Sequence, residues 1–153
     1  MKNKAKPLLA LTLLIMVVML SCENENENET KISTYNSSKS HNAGQNCMNC
    51  HTKGGEGEGW FEVAGTVYDS QKANTYPNAT VRLYSGPNGA GDLIVTLQVD
   101  ELGNFYSTEG INFGGGLYPS VQGDVQTNYM QSSIATGQCN SCHGNTTGRI
   151  WTE

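Results

Sequence analysis

Side chains able to do chemistry are few in this chain, and they are closely spaced. The 153 residues contain five cysteines and three histidines. Four cysteines form two pairs, Cys47-Met48-Asn49-Cys50 and Cys139-Asn140-Ser141-Cys142, and a histidine, His51 or His143, directly follows each pair. Two residues between the thiols let both sulfurs work from one helical turn, with the next side chain aimed at whatever they hold. With three histidines in the chain, chance would put one after both pairs about four times in ten thousand. Cys22 and His41 stand apart from the pairs.

Several chemistries use such pairs. Four thiolates on two knuckles suit tetrahedral zinc. Dithiols also suit disulfide exchange, or plain disulfides in an oxidising compartment. Neither explains the histidine after each second cysteine, and a thioredoxin-like enzyme needs a βαβ pattern that is missing here. C-x-x-C-H is the attachment motif of c-type haem: the thiols become thioethers on the porphyrin and the imidazole binds the iron. The expectation is two covalently bound c-type haems, with Cys47, Cys50, Cys139 and Cys142 as thioethers and His51 and His143 as proximal ligands.

The second axial position of each iron decides between electron transfer and ligand binding. His41, six residues before Cys47, is the one remaining imidazole; it caps the first haem or reaches across to the second. Met130, nine residues before Cys139, has enough following chain to fold over the second haem, or else fills a gap in the core. Met48 lies inside the first attachment turn, where its backbone is already committed. A thioether ligand raises the potential relative to two imidazoles, so electrons would rest on the second haem.

The amino terminus reads as an export signal. Lys2, Lys4 and Lys6 precede an apolar stretch over 8–20 that is short for a permanent span. Ser21-Cys22 resembles the cleavage site of bacterial lipoproteins, although Met19 stands where Leu is usual. That resemblance implies a signal peptide over 1–21, lipidation of Cys22 and a membrane anchor outside the cytoplasm, on the periplasmic face or the outer-membrane surface. An ordinary secretory peptide with a stray cysteine is the alternative. The acidic run 23–29 resembles the surface-export signal of some bacterial lipoproteins, or is a solvated spacer. Residues 22–40 hold few sizeable apolar groups beyond Ile32 and Tyr35, which predicts a disordered acidic tether. Its eighteen or so residues would reach about 60 Å.

The motifs must be positioned by what lies between them. With 18 glycines and 15% charged residues, the chain does not read as a helical bundle. Over 60–125 the hydrophobic period is two: Phe61, Val63, Gly65 and Val67 share a face opposite Glu62 and Thr66, Val81 and Leu83 share another, and Leu93, Val95, Leu97 and Val99 form the clearest strand. Residues 100–104 form a hairpin with a glycine available for positive φ. Val63-Ala-Gly-Thr-Val67, Pro77-Asn-Ala-Thr-Val-Arg-Leu83 and Val99-Asp-Glu-Leu-Gly-Asn-Phe105 resemble the carboxypeptidase-regulatory or transthyretin-like domain. The expected fold is mainly β, an Ig/transthyretin-like β-sandwich, with haem-binding loop or short-helix segments at 41–59 and 126–153. Trp60, Tyr129 and Trp151 are expected as lids over the haems, and Arg149 as a partner for a propionate.

The whole resembles a small di-haem c-type cytochrome lipoprotein built around such a sandwich. The expected role is single-electron transfer between redox partners, without an enzymatic constellation, since two of the three imidazoles are assigned to iron. The alternatives are a peroxidase-like enzyme or gas sensor with one open iron, and a sandwich binding module with structural haem. Without the leader's lysines, six basic residues face fourteen acidic ones, a net −8. That sign disfavours nucleic acid and suits redox partners with basic docking surfaces.

Overall fold

Residues 28–153 are described by the computed structural model; the leader, Cys22 and the start of the acidic run lie outside the described residues. The period-two region forms strands β1 (Val63–Tyr68), β2 (Thr80–Tyr84), β3 (Leu93–Gln98), β4 (Asn104–Ser107) and β5 (Tyr118–Gln122). Beyond it come β6 (Thr127–Tyr129), β7 (Gly137–Gln138), a one-turn helix α1 (Cys139–Cys142) and β8 (Ile150–Trp151). The chain is therefore mainly β and forms two sheets. One runs β3-β2-β5-β6 and is antiparallel throughout. In the other, β4 lies antiparallel on one side of β1, and β7 and β8 lie parallel along the other.

One core joins the sheets. Val63, Val67 and Phe105 of the first sheet meet Val81, Leu83, Leu97 and Val121 of the second. Full burial of such side chains contributes about 1.5–3 kcal/mol each. A tight turn forms where the hairpin is expected, with Gly103 at φ +82° and Oδ1 of the fully buried Asp100 accepting the N–H groups of Leu102 and Asn104, but β3 and β4 belong to different sheets, so the turn carries the chain from one sheet to the other. The glycine is needed there because positive φ is strained for other residues.

Four features differ from the sequence expectation. β1 is buried along its whole length, Thr66 included, because chain from both motifs covers the face expected to meet solvent. Leu93 and Ile94 are both exposed. They sit at a bulge on an edge strand, where Leu83 pairs with Val95 but Tyr84 with Leu93, which breaks the alternation.

The described part of the expected tether, residues 28–40, is held against the first sheet beside β4. Ile32 bridges Ser107, Ser33 N–H donates to the Tyr106 carbonyl and Thr108 N–H donates to that of Lys31. Backbone pairing and the burial of the small Ser33 order it, a mechanism that counting large apolar residues does not register. Lastly, the segment 126–153 contributes three strands to the sheets, so the β body extends past residue 125. Among the described residues no helix is long and apolar enough to cross a membrane.

Candidate functional site

The second motif is an excursion from the strand pairing beside β1. β7 pairs with Val63 and Ala64, β8 pairs with Val67 and Tyr68, and the chain between them, which holds Cys139, Cys142 and His143, leaves the sheet opposite Gly65 and Thr66. That gap would orphan a backbone donor of β1. Asn140 fills it: its Oδ1 accepts the Thr66 N–H at 3.2 Å. Gly65 makes the close approach possible, since a Cβ there would lie 2.9 Å from Cys139 Cβ and 2.5 Å from Phe105 Cζ.

The first motif reaches the same strand from another direction. Its cysteines flank the 3-10 turn Cys47–Asn49, capped by Asn46 Oδ1 accepting the Met48 N–H. Just upstream, Gly44 N–H donates to Thr66 Oγ1 at 2.9 Å. Asn104 Nδ2 donates to Ser40 Oγ at 2.9 Å and to the His41 carbonyl at 3.5 Å. The two motifs then join directly, because Asn140 Nδ2 donates to the Gln45 carbonyl at 2.9 Å.

Thr66, Asn104 and Asn140 thus form one buried network. The Thr66 hydroxyl donates to Asn104 Oδ1 at 2.7 Å and accepts from Gly44 N–H and Asn140 Nδ2, which uses its full capacity. Sequence reasoning missed all three residues. The available signals were a threonine in an otherwise apolar strand and a buried asparagine inside a C-x-x-C-H turn.

Each motif histidine is oriented in the same way. His51 Nδ1 lies 3.2 Å from the carbonyls of both Glu58 and Gly59, and His143 Nδ1 lies 2.7 Å from the carbonyl of Gly148. A carbonyl can only accept, so Nδ1 is the donor in each of these contacts, the arrangement that in a neutral imidazole gives Nε2 to a ligand. Phe61 stacks on the His51 ring at 4.2 Å between centroids. His41 faces His51 at 5.9 Å between centroids.

Beside the second motif lies a cavity of about 460 Å³, lined by Cys139, Cys142 and His143 and by Met130, Tyr129 and Trp151 among others. Leu83 and Phe105 of the core form part of its wall, so it enters the space between the sheets. Its size falls within the usual range for small-molecule and cofactor sites. Arg149 also lines it, with its guanidinium over the Tyr68 ring at 4.3 Å and Nη1 donating to the Lys72 carbonyl. Trp60 accepts Asn28 Nδ2 on its carbonyl, and the Lys53 ammonium lies over its ring.

None of the four motif cysteines is in a disulfide; Cys50 and Cys142 are exposed, Cys47 and Cys139 half-buried. Burial raises the Cys47 thiol above its ordinary value and pushes that of Cys139 up to about 12, the Cys47 thiol adding to the latter effect. Among the described residues, no three His, Cys, Asp or Glu side chains gather as a metal cage. No family model matches the chain, and no curated protein or solved structure shows significant similarity to it.

Proposed function

We propose that this chain is a di-haem c-type cytochrome, lipid-anchored outside the cytoplasm through Cys22, that passes single electrons between redox partners. One observation carries the reading: two C-x-x-C-H motifs far apart in sequence stand side by side on β1, joined by Asn140 and Gln45 across 95 residues, each with its imidazole Nδ1 held against a backbone carbonyl. A zinc knuckle or disulfide needs neither the histidines nor their carbonyl-fixed tautomer.

The residues fit the group. Cys47, Cys50 and His51 would hold one haem; Cys139, Cys142 and His143 would hold the other. His41, with its ring 5.9 Å from that of His51, would be the second imidazole available to the first haem. The cavity beside His143, with Met130 on its wall, supports a second site there. When bound, such iron supplies a one-electron couple. The chain's residues orient the imidazoles through the Glu58, Gly59 and Gly148 carbonyls, and such partners raise ligand basicity. The two-sheet body supports the transthyretin-like reading, and the acidic surplus supports brief docking to basic partners.

Intact mass of correctly exported protein, with a haem stain, tests this proposal. Two covalent porphyrins are expected; four sulfurs that are free, bridged or zinc-bound would overturn it. The cavity also favours a second reading, in which the second iron keeps an open position for a small ligand. Carbon monoxide binding at one haem of the native protein would select that reading.

A further inference from the structure

Asn140 occupies a position within the second motif where thioether attachment asks nothing of the side chain. Its side chain is nonetheless buried, with 6% exposure, and makes three bonds. Oδ1 accepts from Thr66 N–H, and Nδ2 donates to Thr66 Oγ1 at 3.0 Å and to the Gln45 carbonyl at 2.9 Å. The bond to Thr66 N–H repairs the gap in the pairing of β1 and is explained by folding alone. The bond to Gln45 is not, because that carbonyl belongs to the chain leading into the first motif. Cys47 Sγ lies 3.7 Å from the same carbonyl.

The path from one motif to the other is therefore short. Asn140 adjoins Cys139 in the chain, its amide touches the Gln45 carbonyl, and that carbonyl touches Cys47. The ends of the path are fixed as well. Gly44 is tied to Thr66, and Cys139 is seated against Gly65. The corresponding position of the first motif, Met48, offers no equivalent bond, so the second motif alone supplies the link.

We propose that Asn140 is a positioning residue that sets the distance and mutual orientation of the two haems, and through them the electronic coupling between the irons. This rests on the di-haem reading above. Two irons held in fixed proximity feel each other's charge, more strongly where protein rather than water lies between them. Reduction of one then shifts the potential of the other, and the titration belongs to the pair. Loosening the Asn140 link lets the motifs move independently and weakens both effects.

The test uses haem-loaded protein carrying Asn140→Leu, with Ser141→Ala as the control. Ser141 lies in the same turn but its hydroxyl makes only local contacts, to the Gln138 carbonyl at 2.6 Å and to Cys142 Sγ at 3.8 Å, and none to the first motif. The readouts are the paired circular-dichroism bands that neighbouring haems produce in their main absorption band, and the separation of the two reduction steps. Asn140→Leu is expected to retain two porphyrins by mass, lose amplitude in the paired bands and shift the separation; Ser141→Ala is expected to change neither. Unchanged bands and steps in Asn140→Leu, or equal changes in Ser141→Ala, would overturn the proposal.

If Asn140→Leu does not fold, Thr66→Val decides. It keeps the shape of the strand residue, removes the hydroxyl that Asn140 and Gly44 both use, and is expected to weaken the paired bands; no change counts against the link. Loss of the fold in both variants also counts against it, since the network would then be structural alone. Wild-type protein with two haems but no paired bands sinks this inference and leaves the di-haem reading standing. Wild-type protein without porphyrin sinks the reading itself.

Discussion

The rings of His41 and His51, which flank the first cysteine pair in the sequence, lie 5.9 Å apart and are inclined by 39°. The chain carrying His41 is pinned on both flanks, by Asn104 to Ser40 and by Thr66 to Gly44. His41→Ala is therefore expected to affect one haem of the two. Half of the low-spin absorption should become high-spin, and carbon monoxide should bind that half, while the second haem keeps its spectrum. His41→Met should restore low-spin bands and raise one of the two reduction potentials, as thioether ligation does. Two low-spin haems in His41→Ala would remove His41 from the iron.

Met130 lies on the wall of the cavity that Cys139, Cys142 and His143 share, and its N–H is fixed by the Pro119 carbonyl at 2.9 Å. If its sulfur binds the second iron, Met130→Ala should abolish the sulfur-to-iron charge-transfer band and lower that haem's potential. As a lining side chain alone, it should leave the band region unchanged and cost about 2–5 kcal/mol of stability at most, the range for methionine truncation in a core. Near-infrared absorption together with thermal unfolding separates the two outcomes.

Much of this site was legible in the sequence, because cysteine and histidine spacing is local information. The four cysteines, the two following histidines and His41 were all identifiable without coordinates, as was the turn at Gly103, but not that this turn crosses from one sheet to the other. What stayed hidden is long-range. Nothing in Asn140 itself says that its partner is Gln45, 95 residues away. The parallel pairing of β7 and β8 on β1 involves strands of two residues each, too short for a period of two to register. The ordering of residues 28–40 escaped for a related reason. Its hydrogen bonds to Tyr106 and Thr108 are made by the backbone, which every sequence possesses.

Gly65 is where the core, β1 and the second motif converge. An added methyl would lie 2.5 Å from the Phe105 ring, which is fully buried and cannot withdraw, and 2.9 Å from Cys139 Cβ. Gly65→Ala is thus expected to destabilise the fold by about 1–3 kcal/mol, the usual cost of overpacking. Because the methyl also presses on the cysteine, the variant should mature with the second porphyrin under-incorporated relative to the first. Chemical denaturation measures the stability, and peptide mass mapping of the two haem-bearing fragments measures occupancy. Wild-type stability with full occupancy of both sites would show that the contact relaxes freely.

The thiols supply a prediction about alkaline pH. In a chain produced without haem, Cys50 and Cys142 are exposed, whereas burial raises Cys47 and brings Cys139 to about 12. Thiolate is the reactive form, so a thiol reagent at mildly alkaline pH should consume two thiols quickly and two slowly. The effect on stability has a definite sign. The folded haem-free chain prefers Cys139 protonated, so this contribution is fully present below the ordinary thiol value of 9.0 and is lost as pH climbs from there toward about 12. Haem-free Cys139→Ala should lack that component of the alkaline decline. The haem-loaded protein should lack it as well, because a thioether sulfur carries no proton, and it should show no reactive thiols among these four. Equal alkaline decline in the haem-free wild type and Cys139→Ala, measured by denaturant midpoint across that pH window, would mean that the Cys139 thiol is not held protonated by the fold.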